Sequence, residues 1–336
     1  MQTIIRKLLP AGLRKFLRKI NNKITAKKYY NYDLKRYLKY SSLNNNTDDP
    51  EKLIRSIMLS YHIIEKGLTM PETKLGFGKD VVKILTNNVQ DYIAKYGSNN
   101  IQLIHAQGVL NEYIHFHINN NYTPDKDLSE QISKINILIG NEYRTNQRVI
   151  SNQEYFNKLD MPFPDFSQSR HSIRNFTSEN IDTDLIIKSI DLARNTPTAC
   201  NRQPAKVHIY EDKERIKKIL DLQGGSRGFS HLVNVLLIIS VKLDGFGTLR
   251  ERNAPYIDGG FFSMNLLYAL HYHKIGVCTL NCSNTPDKDK LLRELSEIPD
   301  NEEFVVMLAC GNVPDSFKIA SSPRNNLTDY YSFHKI

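Results

Sequence analysis

The 336-residue chain contains no tryptophan and only four cysteines. Cys200, Cys278, Cys282 and Cys310 form no Cys-x-x-Cys pair and fall mostly in apolar segments. Neither a disulfide framework nor a zinc site is expected, and the thiols read as free, buried groups of a reducing, cytoplasmic compartment. No apolar run approaches the roughly 18 residues that span a bilayer. What the N-terminus lacks is acid: residues 1–42 hold twelve Lys or Arg against Asp33 alone. That segment carries +11 of a net charge of +9, so everything after it is at −2 and the basic character belongs to an arm. Nucleic acid is therefore not an expected partner. Basic residues also interrupt the apolar ones throughout this stretch, unlike a secretory leader.

In the arm, Ile4, Ile5, Leu8, Leu9, Leu13, Phe16, Leu17 and Ile20 recur at three- and four-residue steps, with Lys and Arg between them. The pattern predicts a basic amphipathic helix, interrupted by Pro10 and Gly12. Such a helix lies in an anionic membrane interface, here the inner face, or packs on the protein's own body or a partner. Residues 43–49 read as a linker ending in an N-cap at Asp49, with Pro50 at the first helical position. Leu53, Ile54, Ile57, Tyr61 and Ile64 then share one helical face, and further helices are expected at 79–97, 101–119 and 127–148, giving a helical region over 43–150. His115 and His117, two apart on a helix, point to different faces and do not suit a shared metal. Between the first two helices, residues 62–71 include His62, Glu65, Lys66 and Gly67, followed by Gly76, Phe77 and Gly78. This stretch reads either as a helix capped at Gly67 with a packed loop, or as a lid that brings His62, Glu65 and Lys66 to a substrate.

Residues 151–168, with Pro162 and Pro164, form a connection to a second half at 169–336. There the periodicity alternates between helix and strand. Strands are expected at 205–210, 234–241 and 304–310, the last two as continuous apolar runs covered on both faces. Helices are expected from Ile181 to Ile190, at 213–222, and at 287–297 with Thr285 as N-cap. Residues 259–274 form a helix apolar on almost every side, which must be buried in the domain or in a subunit interface. The fold class is α+β, three layers around a mixed sheet.

Two blocks carry the chemistry. Arg170, His171, Ser172 and Arg174, followed by Phe176, put two guanidinium groups and a hydroxyl within seven residues, a set suited to phosphate. About twenty residues later, 197–204 reads Pro-Thr-Ala-Cys-Asn-Arg-Gln-Pro. Its small residues let a flat ligand lie against the backbone, and its amides suit the polar edge of a heteroaromatic ring. By itself the octapeptide also reads as an ordinary loop between a helix and a strand. Together, in this order, the blocks resemble the FMN-dependent nitroreductase family over about residues 165–336. More weakly, the helical region resembles the leader of nitroreductase-like proteins associated with surface polysaccharide synthesis.

The resemblance implies a nitroreductase-like three-layer fold, a homodimer interlocked through the long apolar helix, and FMN held in clefts made by both subunits. It assigns the phosphate to Arg170, His171, Ser172 and Arg174 with Arg324. It brings Pro197, Thr198, Ala199 and Asn201 against flavin bound mainly to the other subunit, with Gln203 steadying the loop. Backbone amides at Thr279, Leu280 and Asn281 would approach flavin N5 and O4. Where the family has a polar or basic group facing the pyrimidine, this chain has glycines near 224–228, leaving Arg227 as the candidate and Ser226 second. The implied reaction passes hydride from NAD(P)H through FMN to a nitro compound, a quinone or a biosynthetic intermediate, by a ping-pong cycle that needs no protein nucleophile. Two readings compete: a related flavin fold that oxidises or fragments its substrate, and a catalytically degenerate scaffold acting as an interaction module at a membrane surface. No Ser/His/Asp set, P-loop or metal-ligand spacing accompanies these blocks.

Overall fold

The structure, a computed structural model, describes residues 10–41, 43, 48–140 and 147–334. Helix α1 runs unbroken over Ala11–Tyr40. Pro10 precedes its first turn and Gly12 sits inside it, so the interruption expected at these two residues does not occur. A proline ahead of a helix forfeits no intrahelical bond, and one glycine costs only about 1 kcal/mol. Ile4, Ile5, Leu8 and Leu9 lie outside the described residues, as does most of the expected linker. None of the side chains of α1 is buried. It meets the body where Arg252 grips Asp33 with Nε–Oδ2 2.6 Å and Nη2–Oδ1 2.8 Å, and where the same guanidinium lies 5.3 Å over the Tyr29 ring.

Four helices follow: α2 (Pro50–Leu68), α3 (Lys79–Tyr96), α4 (Ile101–Asn119) and α5 (Lys126–Ile139). Asp49 caps α2 by accepting the Glu51 and Lys52 N–H groups, as expected. The apolar stripes of these helices close over one core that includes Ile57, Ile64, Leu85, Leu103 and Ile135. Two expectations fail here. Helix α2 continues through Gly67 to Leu68 instead of capping at Gly67. The glycine is needed for space, because a Cβ there would sit 2.2 Å from Phe77 Cε2, and the Phe77 ring occupies its place. Helix α5 ends at Ile139 rather than reaching 148, with Gly140 at φ 92° stopping it. The segment Gln147–Ser151 is then strand β1, paired antiparallel with β6 (Ser316–Ala320) near the other end of the chain.

Short helices α6 (Asn152–Tyr155) and α7 (Phe163–Ser169) occupy the expected connection. Beyond it come α8 (Thr183–Ala193), β2 (Ala205–Tyr210), α9 (Lys213–Gln223), β3 (Val235–Lys242), α10 (Ala254–Tyr272), β4 (Gly276–Asn281), α11 (Pro286–Ser296) and β5 (Glu302–Gly311). Thr285 caps α11. The strands stand in the order β2-β3-β5-β4. Alternate residues of β3 face opposite layers: Leu236 and Ile238 meet Ile219 of α9 and Leu292 of α11, while Leu237 and Ile239 meet Leu266 of α10 and Ile186 of α8. This is the three-layer α+β arrangement. Every pairing within the sheet is antiparallel. Strands β3 and β4, joined through α10, do run the same way, but β5 inserts between them, so the parallel relation expected of a mixed sheet exists only between non-neighbours.

All four cysteines are free. Cys278 and Cys310 are buried in the sheet, whereas Cys282 is half-buried and Cys200 is exposed, against the expectation of general burial. His117 and His115 point apart: His117 is fully buried, with Nδ1 at 2.7 Å from the Tyr113 carbonyl and Nε2 accepting the Gly76 N–H at 2.8 Å, and His115 faces outward.

Candidate flavin site

Strand β4 is a sheet edge, and the segment that follows α7 lies along it. The Ile173 N–H donates to the Val277 carbonyl at 2.9 Å, and Thr177 N–H donates to that of Asn312 at 2.9 Å. Phe176 is wedged against the paired residues Gly276 and Gly311, and a Cβ on Gly311 would meet the ring at 2.4 Å. Two steps upstream of Ile173, the buried Tyr155 hydroxyl clamps His171. It donates to the His171 carbonyl at 3.0 Å and accepts its N–H at 3.2 Å. The Arg170–Phe176 block is thereby fixed by backbone bonds, while the Arg174 side chain reaches the Cys278 thiol. In extended backbone Arg170, Ser172 and Arg174 share a face.

These side chains form two groups of positive charge. Burial, followed by the charges of Arg148, Arg170 and Arg324, pushes His171 down to about 4. Beside it lies a recess of about 260 Å³ whose lining includes Arg148, Tyr155, Ser169 and His171. Arg148, Arg170 and Arg324 make no ion pair among the described residues, and the Ser172 hydroxyl makes no hydrogen bond there. The second group surrounds Cys278. Burial raises that thiol, with the charges of Arg174, Lys66 and Arg170 acting the other way. Arg174 is only 8% exposed, and its Nε–H has no hydrogen-bond partner. A buried guanidinium without a carboxylate is costly, and its presence beside a second uncompensated cluster marks a place for an anion.

The remaining residues singled out from the sequence divide. Thr279, Leu280 and Asn281 end β4, Leu280 buried and the other two exposed, directly after Cys278. Arg227 is exposed and close enough to Lys66 for its charge to act on it, and Ser226 is buried. The loop at 197–204 stands apart. It leads into β2, at the same end of the sheet as Asn281 but with β3 and β5 between, so roughly 14 Å of sheet separates them. Pro197 and Asn201 are exposed, with Thr198 and Ala199 half-buried. Ala199 N–H is held by Asp258 at 3.1 Å, and Thr198 Oγ accepts Gln203 N–H at 3.0 Å. The Gln203 amide in turn donates to the Asn201 carbonyl at 3.3 Å. Cys200, Asn201 and Gln203 all adopt positive φ, at 52°, 53° and 51°, a strain concentrated in one exposed loop.

Of two further cations, Arg148 has no signal in the sequence, whereas Lys66 belongs to the stretch that the sequence offers as a lid. Arg148 sits on β1, a strand that was not foreseen, and Lys66 reaches in from α2. The only advance signal was the Glu65-Lys66-Gly67 turn, richer than a bare connection needs.

A cofactor's fit can be judged from this donor set. A flavin mononucleotide presents a dianionic phosphate, an apolar ring face and a polar ring edge, and the two cation groups and the end of β4 suit the charged and polar parts. The sequence of residues 168–226 matches the family model described as the nitroreductase family. No curated protein matches the chain in sequence. Among solved structures, the chain is similar to a nitroreductase family protein of Streptococcus pneumoniae, 17% identical over 52% of this chain and 100% of that one, with TM-score 0.46. It is similar as well to an FMN-dependent nitroreductase of Clostridium difficile, 16% identical over 51% and 98%, TM-score 0.44, and to NfrA2 of B. megaterium, 18% identical over 51% and 73%, TM-score 0.44. The match to the nitroreductase family model is confined to residues 168–226, behind a helical N-terminal region.

Proposed function

We propose that this protein is an NAD(P)H-dependent flavin oxidoreductase that holds FMN at the C-terminal end of β4, beside the segment that lies along that strand. The observation that carries the reading is the pair of uncompensated cation groups around His171 and Cys278, with the buried, unpartnered Nε of Arg174 between strand and solvent. Arg170, Ser172 and Arg324, joined by Arg148, would take the phosphate, and N–H groups at Thr279, Leu280 and Asn281 the polar ring edge. Pro197, Thr198, Ala199 and Asn201 would reach the flavin of a second copy in a homodimer. This division of labour accounts for a loop carrying the second sequence block far from the first. FMN, when bound, supplies the hydride chemistry, from NAD(P)H to a small-molecule acceptor such as a nitro compound, a quinone or a biosynthetic intermediate. The chain's own residues bind, orient and tune. In this reading 169–336 is the flavin half, 43–150 a helical unit, 151–168 the connection and 1–42 an arm.

Changing Arg170 and Arg324 together to Ala should release FMN, at least tenfold in affinity, while the protein keeps its size and melting behaviour. Flavin content equal to that of the unchanged protein would overturn the phosphate assignment.

The arm favours an added role at an anionic membrane surface, in keeping with a place beside polysaccharide synthesis: α1 exposes Leu13, Phe16, Leu17 and Ile20 among its basic residues. No described helix is long and apolar enough to cross a membrane. Co-sedimentation with anionic vesicles, lost at high salt and on deletion of residues 1–42, tests this role.

A further inference from the structure

The C-terminal turn of α2 is seated on the loop at 224–228. Lys66 Nζ donates to the Gly225 carbonyl at 3.1 Å. Met70 is buried in the apolar cluster of the second half rather than in that of the helices. Its Sδ lies where a Cβ on Gly228 would come within 3.2 Å. Glu65, one residue before Lys66, is committed elsewhere. It pairs with His105 at 3.3 Å and accepts the Ser322 N–H at 3.4 Å, two residues from Arg324. Lys66 therefore has no carboxylate among the described residues, and the cations acting on it are Arg174 and Arg227. Those acting on His171 are a different set, Arg148, Arg170 and Arg324. Two cation groups thus lie along one edge, bridged at Cys278, which senses Arg170, Arg174 and Lys66.

The spacing has a chemical reading. One group, rich in guanidinium forks, suits a compact dianion. The other gathers around the end of β4, where a ring would lie, and suits charge that appears on the ring itself. A flavin gains negative charge at its pyrimidine edge on two-electron reduction, and a fixed cation there favours the reduced form. The loop at 224–228 offers that edge only Arg227, which is exposed. Lys66 is more enclosed, anchored by one bond to Gly225, and has two further N–H groups to direct.

We propose that Lys66, delivered from the helical region, is the cation that faces the pyrimidine edge of the flavin, so that this region completes the cofactor site and raises the flavin's reduction potential. The proposal rests on the flavin reading above. It gives α2 a specific role, in which the contacts of Glu65 and Met70 lock the helix end so that Lys66 is held at one place against the ring.

The test uses the full-length protein loaded with FMN and measures the two-electron midpoint potential by equilibration with a reference dye. Lys66→Met should retain FMN on Arg170 and Arg324. It should hold reduced flavin about tenfold less tightly relative to oxidised flavin, which is a fall of about 30 mV in potential. Lys66→Arg should recover most of the difference. A melting temperature equal to that of the unchanged protein establishes that Lys66→Met is folded, and if that folded variant loses FMN altogether, Lys66 holds the cofactor rather than tuning it and the proposal is overturned. An unchanged potential in flavin-loaded Lys66→Met overturns the proposal while leaving the flavin reading intact. If the unchanged protein takes up no FMN, the flavin reading itself fails, and this inference with it.

Discussion

A guanidinium buried as Arg174 is, with an Nε–H that finds no acceptor, costs several kcal/mol unless an anion joins it. The same tension is written in two histidines. Burial, then neighbouring positive charge, holds both His171 and His271 at about 4, well below the ordinary 6.5. Between these two pH values the unfolded chain binds protons that the folded chain refuses, so stability rises with pH across the window and is lost as pH falls from about 6.5 to 4. Flavin-free protein should accordingly lose melting temperature over that interval. His271→Phe, which keeps the ring contacts with Tyr155 and Phe166, should remove part of the slope, as a series of melts against pH would show. Burial is the larger cause of the His171 depression, and a dianion placed among Arg148, Arg170 and Arg324 would offset the part that comes from charge. The His171 titration, followed by NMR, should then move up toward neutrality when FMN is added, whereas His271 should move less.

At the scale of elements, two contacts make sharp predictions. Gly67→Ala drives a methyl into the Phe77 ring, and overpacking of this kind costs about 1–3 kcal/mol. Chemical denaturation should show that loss, whereas Gly12→Ala, where nothing stands within 4 Å, should be neutral or slightly stabilising. Arg252→Ala removes the main attachment of α1 to the body. Hydrogen exchange over residues 11–40 should accelerate while the sheet strands keep their protection. The contrast between these elements also explains what could be read in advance. Helices α2, α3 and α4 and strands β2, β3 and β5 announce themselves through local apolar period, and Asp49 and Thr285 through cap chemistry. Strand β1 does not, because its partner β6 lies more than 160 residues away and local pattern carries no record of it. Gly67 misled for a related reason: its neighbour across the turn, Phe77, rather than its own φ, dictates a glycine.

Across the whole molecule, the first sequence block and its cations fall on one edge of the sheet and the second block on the opposite edge, at the same end. Motif order alone makes Arg170, Ser172 and Arg174 candidates for the proposed site. Arg148 was hidden because only folding brings β1 to that edge, whereas Lys66 stands in the stretch that the sequence offers as a lid. In the proposed reading, the loop at 197–204 would meet the flavin of a second copy, with two copies completing each other's clefts. Helix α10 exposes Tyr256, Ile257 and Phe261, apolar surface that such a contact would cover. The most direct test is an absorbance spectrum of the purified full-length protein, supplied with FMN, taken with its mass in solution before and after anaerobic addition of NADH or NADPH. One FMN per chain in a homodimer, bleached by the nicotinamide, is the expected result. A folded protein that neither carries FMN nor binds it when supplied would contradict the flavin reading.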